Sequence, residues 1–175
     1  MIAKFKRFLK DETATASVEF VLIAPLYLAA VFSVFEAGWL MTKNMMLERG
    51  LDQTIRDIRL GRHTLTSHAE FKDRICTYSR ILKDCDQNMI LEVTPITSAA
   101  SIPSGAAQCR DRSTPPPPPS ALKFDLGNRD DIMFVRACVI VDPLVPGMGL
   151  GLHLPKDKTG GFQMTAYSAF KNEPN

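Results

Sequence analysis

Net charge, histidine and any recognisable catalytic signature are scarce in this sequence. Lysine and arginine number 21 and aspartate and glutamate 19, which leaves a net charge of +2. No basic stripe interleaved with aromatic residues appears after Lys10, so the charge pattern expected of a phosphate-binding surface is missing. We therefore expect no nucleic-acid partner.

Signals of catalysis are equally scarce. The three histidines, His63, His68 and His153, have no serine or cysteine nucleophile motif beside them. Three glycines alternate over residues 147–151, but no Lys-Ser or Lys-Thr pair follows them, as a phosphate-binding loop would require. We expect neither catalytic residues nor a cofactor.

A long apolar run near the N-terminus is the dominant feature that the sequence does contain. Between Phe20 and Met41 only Ser33 and Glu36 are clearly polar. At about 1.5 Å per helical residue, this run is long enough to cross a hydrocarbon core of about 30 Å. The pattern predicts a transmembrane segment over residues 15–41.

The charges that flank the run predict its orientation. Basic residues precede it within a leader of residues 1–14, namely Lys4, Lys6, Arg7 and Lys10. The positive-inside rule then puts the N-terminus in the cytoplasm, and Trp39 is expected at the headgroup level on the far side. We expect a single-pass membrane protein, in contact with the lipids of the bilayer, with residues 42–175 exported.

The apolar pattern continues beyond the point where a cleaved signal peptide would end. A helical stripe runs on to Gly61, which predicts one helix of about forty residues capped by that glycine; the stripe consists of Leu47, Leu51, Ile55 and Ile58. A signal peptide, with a small-x-small cleavage site and a change of character after it, is the competing interpretation. Pro25 is expected to be tolerated within the helix.

Two carboxylates accompany the apolar run. Glu19 lies at its start, where an unpaired charge costs up to about 3 kcal/mol in a membrane, so we expect it to have a partner. A favourable interaction with the helix dipole is the alternative. Glu36 lies near the opposite boundary and is expected to reach water there.

The residues after Gly61 predict an α+β domain. Ser67 to Glu70 fits a capping box, and a helical stripe follows it, formed by Phe71, Ile75, Tyr78 and Leu82. Strands are predicted over residues 89–94, 132–141 and 162–170, with Pro95 at the end of the first and the second one central. This order favours an antiparallel sheet of at least three strands packed on both helices.

Two segments show neither the helical nor the strand periodicity of apolar residues. Residues 95–131 contain five consecutive prolines, Pro115–Pro119, and predict a long loop with a stiff spacer; a docking ligand for aromatic grooves is the alternative. Leu144–Leu154 is turn-rich and apolar, which suggests a partner surface or, as the alternative, burial within its own domain.

Four cysteines in an exported domain favour disulfides, because the periplasm is oxidising. Three connectivities exist. We favour Cys76 with Cys85, which closes a helix end onto the following turn, and Cys109 with Cys138, which pins the proline-rich loop to the central strand. A zinc site formed by His63, His68, Cys76 and Cys85 is the alternative, although its spacings match no common ligand pattern, and we expect no bound metal.

Several short motifs together resemble one protein family. They are the basic stretch, the small residues Thr13–Ser17, then Val18-Glu19-Phe20, the apolar run with Pro25, and Phe35-Glu36-Ala37-Gly38. In this order they are similar to the TadE-like minor pilins, or pseudopilins, of the tight-adherence (Flp-type) pilus. The ending Lys171-Asn172-Glu173-Pro174 resembles the basic-Asn-Glu-Pro ending of that family, and Cys76 and Cys85 lie where many members have a cysteine pair.

The resemblance implies a basic leader that a prepilin peptidase removes five residues before Glu19, between Ala14 and Thr15. Processed family members usually have glycine where this sequence has Ala14. In pilins generally, the glutamate carboxylate pairs with the new N-terminal amine of a neighbouring subunit. Without the cut, that amine does not form at Thr15.

The resemblance thus implies a minor pilin of the inner membrane, with residues 42–175 in the periplasm, that acts by helix bundling and subunit contacts in pilus assembly. Its expected partners are other pilins, assembly-platform proteins and prepilin peptidase, with incorporation into an extracellular pilus as a further expectation. The alternatives are an uncleaved inner-membrane assembly or scaffold protein and, third, an exported enzyme or binding domain on an anchor.

Overall fold

One continuous helix, α1, runs from Thr15 to Arg59 in the computed structural model, which describes residues 15–62 and 67–172. Gly61 ends it with a positive φ of 63°, a conformation that glycine adopts without strain. The amide of Gly61 donates to the carbonyl of Ile58 at 2.9 Å, and that of Arg62 to the carbonyl of Asp57 at 3.0 Å, so two terminal carbonyls are satisfied. The predicted single helix and its glycine cap are confirmed.

The second helix, α2, spans His68–Tyr78 and begins at the predicted cap. The Ser67 hydroxyl accepts a hydrogen bond from the Glu70 amide at 3.2 Å, which satisfies one of the free donors of the first turn. The helix ends before Leu82, so the predicted stripe is too long by one turn. Ser79 stops it, because its hydroxyl donates to the carbonyl of Met46 on α1 at 2.9 Å and draws the chain toward that helix.

A short helix, α3 (Cys85–Asn88), leads into a three-stranded antiparallel sheet in the order β1-β2-β3. The strands are β1 (Met89–Ile96), β2 (Ile132–Val141) and β3 (Phe162–Lys171). The predicted central strand and the α+β class are confirmed. Pro95 lies inside β1, opposite Met133, rather than at its end; β1 is an edge strand, where proline is tolerated.

The hydrophobic core lies between one face of this sheet and the two long helices. Strand side chains alternate between faces, and Leu91, Val93, Val135, Ala137, Val139 and Ala166 point toward the helices and are buried. The helices contribute Leu40, Leu47, Leu51, Ile55, Phe71 and Ile75 to the same cluster. The core therefore holds the C-terminal half of α1 firmly against the sheet.

The proline-rich segment covers the opposite face of the sheet. Cys138 on β2 is joined to Cys109 by a disulfide, and the Arg136 guanidinium donates to the carbonyl of Gly105 at 2.7 Å. Arg136 also forms a buried ion pair with Glu92 on β1. The segment predicted as a spacer thus forms the outer layer of the domain, with 3₁₀ turns at Ala99–Ser101 and Pro119–Ala121.

The second disulfide joins Cys76 at the end of α2 to Cys85, with α-carbons 5.7 Å apart. Both pairs are those that the sequence favours. The zinc alternative is wrong, because the two thiolates that it needs are bonded to each other and His68 accepts a hydrogen bond from the Leu91 amide. Its fourth residue, His63, lies outside the described residues, as do Ala14 and Glu173-Pro174.

Candidate functional site

The two halves of α1 have different environments. In the first half the large apolar side chains are exposed, among them Phe20, Leu22, Leu26 and Tyr27. From Ala29 onward one side of the helix is covered by the rest of the chain. The part of the chain that covers α1 closest to its N-terminal end is the loop of residues 144–152. The last residues of this loop begin a short helix, α4 (Leu150–His153).

Glu36 anchors this loop. Its side chain is only 1% exposed, and its two carboxylate oxygens accept hydrogen bonds from the amides of Leu144 at 2.9 Å and Val145 at 2.7 Å. The expectation that Glu36 reaches water is wrong. A carboxylate can be buried when hydrogen-bond donors replace its hydration, and here two adjacent backbone amides do so.

Ser33, one turn earlier on the same face of α1, binds the other end of the loop. Its hydroxyl donates to the carbonyl of Ala29 at 2.7 Å and accepts from the amide of Leu150 at 2.9 Å. Ser33 and Glu36 are the two clearly polar residues between Phe20 and Met41. Both of them are therefore used to hold the loop.

Gly149 allows the loop backbone to approach α1 closely. Its φ is +57°, and a β-carbon at this position would overlap the Ser33 hydroxyl and lie 2.7 Å from the carbonyl oxygen of Ala29. Gly147, two residues earlier, has nothing within 4 Å of the equivalent position. Of these alternating glycines, Gly149 is thus required by the contact, whereas Gly147 is not.

The outer surface of the docked loop is apolar. The side chains of Leu144 and Leu152 are 57% and 56% exposed, and that of Met148 is 39% exposed. On other sides of the same turn of α1, Val34 and Phe35 are also exposed. Loop and helix thus both expose apolar side chains at the level of the buried Glu36 carboxylate.

A basic cluster borders this surface on the side of the domain. The Lys43 ammonium lies 5.6 Å from the centre of the Trp39 ring and donates to the carbonyl of Asp142 at 3.0 Å. Burial lowers the pKa of Lys43, and the negative charge of Glu36 opposes this shift. Beside these residues is a cavity of about 360 Å³, which Lys83, Arg112 and Leu144 also line.

The other predicted site residues are not brought together. Glu19 and Pro25 are exposed on the first half of α1, and Trp39 is partly exposed near the basic cluster. Ala14, on one side of the expected cleavage point, lies outside the described residues, and Thr15 is the first residue of α1. Within residues 15–62 and 67–172, no group of three or more His, Cys, Asp or Glu side chains is arranged to hold a metal ion.

Within the described part of the chain, one helix, beginning at Ser17, is long and apolar enough to cross a membrane. This helix and the two disulfides suggest a membrane-anchored, extracytoplasmic domain.

A comparison with known protein families finds a match that covers most of α1. Residues 14–56 match the model of a family described as TadE-like protein. Neither a curated protein nor a solved structure matches the chain. The matched residues include Glu19, Ser33 and Glu36 and end three residues before α1 does. Over residues 14–56, this chain is thus similar to the TadE-like protein family.

Proposed function

We propose that the protein is a minor pilin, or pseudopilin, that takes part in assembly of a tight-adherence (Flp-type) pilus. Its N-terminus lies in the cytoplasm, α1 crosses the inner membrane once, and the α+β domain lies in the periplasm. The exposed half of α1 retains the protein in the membrane before assembly and packs against other pilin helices afterwards. The domain contacts neighbouring pilins and the assembly platform.

The observation that carries this proposal is the unequal burial of α1 within the TadE-like segment. Phe20, Leu22 and Leu26 are 71%, 68% and 75% exposed, whereas Leu47 and Leu51 are buried in the domain core. Exposed apolar side chains in such numbers are stable only in lipid or against other apolar surfaces. Half of the helix is thus free to bundle while the other half carries the domain.

Glu19 provides register in this proposal. Prepilin peptidase cuts between Ala14 and Thr15, and the Glu19 carboxylate then pairs with the new amine of a neighbouring subunit. Glu19 is exposed on the helix surface, where such a pairing is sterically open. The ion pair offsets the cost of a carboxylate within an apolar bundle.

An uncleaved inner-membrane assembly or scaffold protein is the second candidate. The observation that favours it is Ala14, which stands where processed family members usually have glycine. In this case the leader stays attached, α1 remains in the membrane, and the domain contacts the pilus machinery from the periplasm without entering the fibre. Glu19 then interacts with the positive end of the helix dipole.

The N-terminal sequence and intact mass of the protein, purified from its native membrane, distinguish the two candidates. A chain that begins at Thr15 supports the pilin, and an intact leader supports the scaffold protein. A start near Gly38 would contradict both, because it would identify the apolar run as a signal peptide. The Ala14→Gly variant is the matched comparison and should be processed at least as completely as the natural sequence.

A second experiment tests the role of Glu19. The Glu19→Gln variant should reach the membrane at the normal level but be depleted from pili sheared off the cells, because the neutral side chain cannot pair with the amine. Glu48→Gln is the control, since Glu48 is exposed farther along α1 and bonds only to Asn44 within its own helix. Equal amounts of both variants in sheared pili would contradict the register role.

A further inference from the structure

The docked loop of residues 144–152 lies at the height of the apolar surface of α1 rather than above it. At about 1.5 Å per residue, Phe20 and Met41 are about 32 Å apart along the helix axis, close to the thickness of a hydrocarbon core of about 30 Å. The loop binds α1 at Ser33 and Glu36. These residues lie about 8 to 12 Å before Met41 along the axis, inside the length that a bilayer would cover.

Exposed apolar side chains on the uncovered sides of α1 lie at the same height along the helix axis as the loop. Val34 and Phe35 belong to the turn that binds the loop, and they are 73% and 65% exposed. Met41 and Met45, farther along the helix, are 68% and 67% exposed. A membrane that removes Val34 and Phe35 from water therefore also reaches the loop on the adjacent side.

The backbone of the loop suits an apolar solvent. In hydrocarbon, backbone amides need partners within the protein. The amides of Leu144, Val145 and Leu150 are bonded to the two polar side chains of α1. Those of Leu152 and Leu154 donate to carbonyls within the loop, at 3.2 and 3.1 Å. Several of its donors are thus satisfied without water.

Lysines mark the edge of the apolar surface. The Lys156 ammonium donates to the carbonyl of Pro146 at 2.9 Å, and Lys43 lies beside Trp39. Lysine at a membrane boundary extends its charge toward the phosphates, and tryptophan is common at the same depth. Two cations therefore border the loop, one at the Pro146 carbonyl and one at Trp39, from where each can extend toward a headgroup phosphate.

From these observations we infer that loop 144–152 is a second membrane-contacting element, inserted into the periplasmic leaflet beside α1. Leu144, Met148 and Leu152 contact acyl chains, and Lys43 and Lys156 contact headgroup phosphates. This inference rests on the proposed membrane span of α1. It gives the domain a fixed height and orientation on the membrane before assembly.

A set of single-tryptophan proteins tests this inference in liposomes. Trp39 is the single tryptophan of the sequence, so Trp39→Phe gives a silent background. Leu152→Trp reports the loop and Tyr167→Trp on β3 is the matched control, because both side chains are 56% exposed in the protein. Leu26→Trp reports the first half of α1. The full-length chain is reconstituted with lipids brominated on their acyl chains, and iodide is added on both sides of the membrane.

The expected result is strong quenching of the Leu152→Trp indole by brominated lipid and roughly threefold weaker quenching by iodide than for Tyr167→Trp, since hydrocarbon excludes the ion. Iodide quenching equal to that of the control would overturn the inference, because the loop would lie in water. Protection from both quenchers would overturn it as well, because a second copy of the chain would then cover the loop. Met148→Trp serves as the loop probe should Leu152→Trp misfold.

The Leu26→Trp protein separates this inference from the proposed function. Lipid quenching of Leu26→Trp without quenching of Leu152→Trp rejects the loop insertion alone and leaves the membrane helix intact. Absence of lipid quenching in both proteins rejects the membrane span, and with it the proposed function.

Discussion

Replacement of Glu36 by glutamine should loosen loop 144–152 from α1. The carboxylate accepts one hydrogen bond on each oxygen, from the amides of Leu144 and Val145. Glutamine has the same shape but only one acceptor oxygen. The NH2 group of the glutamine side chain would face one of these backbone amides, and two donors cannot bond to each other. One of the two hydrogen bonds is therefore lost, and the acceptor of the other is no longer charged.

The structure sets the size of the effect. A hydrogen bond to a charged group contributes about 1.5 to 3 kcal/mol when its partner is left buried. Because about 1.4 kcal/mol corresponds to a factor of ten, the local opening equilibrium of the loop should rise roughly 10- to 150-fold. The core formed by Leu47, Leu51 and the sheet does not involve Glu36, so the rest of the domain should keep its stability.

Hydrogen exchange of the full-length protein in detergent micelles measures this difference directly. Peptides that cover residues 144–154 should exchange faster in Glu36→Gln, while peptides from β2 should not change. Glu48→Gln is the control, because Glu48 is an exposed carboxylate on the same helix. Unchanged exchange of the loop in Glu36→Gln would refute the reasoning that this carboxylate holds it.

Gly149→Ala offers an independent route to the same outcome. A methyl group there overlaps the Ser33 hydroxyl and must adopt a left-handed backbone conformation. Gly147→Ala adds the same methyl group to open space in the same loop. Faster exchange of residues 144–154 in the first variant only is expected, and equal exchange in both would contradict the close contact.

Three further changes test the domain itself, by unfolding of the full-length chain in micelles. Arg136→Met leaves the buried Glu92 carboxylate without its ion-pair partner and should lower the free energy of unfolding in urea by roughly 3 to 5 kcal/mol, whereas the double change with Glu92→Leu should recover most of this loss. Equal losses in the single and the double variant would contradict the ion-pair reasoning. Serine at Cys109 and Cys138, 29 positions apart, should lower the free energy of unfolding by about 3 to 4 kcal/mol, and an unchanged urea midpoint would argue against this crosslink. Burial lowers the pKa of the His68 imidazole from its usual 6.5. The stability that the neutral imidazole contributes above pH 6.5 should therefore be lost as the pH falls through the lowered pKa. If the thermal midpoint of His68→Gln falls with pH as much as that of the natural protein, the acid sensitivity belongs to another group.

Much of the fold could be predicted because its signals are local. The β-branched run of Ile132–Val141 forms a strand with the predicted bounds. The cap at Ser67 and the glycine stop at Gly61 also act through neighbouring residues. Such signals require only residues within one turn of each other, and a single sequence displays them fully.

The predictions failed where a distant contact overrides the local pattern. The apolar stripe continues to Leu82, but α2 ends at Tyr78 because Ser79 bonds to α1. Leu82 is still buried, in a turn rather than on a helix face. The stripe therefore identified a core residue correctly and assigned it the wrong backbone.

The docked loop is the part that the sequence alone did not reveal. Glu36 and Leu144 are separated by 108 positions, and no local pattern connects them. A clue was nevertheless present, because Ser33 and Glu36 are three residues apart and so lie on one face of an otherwise apolar helix. Two polar groups in that position indicate a common partner, and the segment that binds both is the apolar loop that the sequence assigned either to a partner surface or to burial within its own domain.

The same separation of 108 positions imposes an order on biogenesis. During synthesis α1 emerges first, and residues 144 and 145 emerge only after most of the domain has been made. In the proposed topology, the helix enters the membrane before any hydrogen-bond partner of the Glu36 carboxylate has been made, and both partners are in place only when the last fifth of the chain has been exported and folded. A chain truncated before residue 144 therefore carries a defective membrane segment, although every residue of that segment is intact.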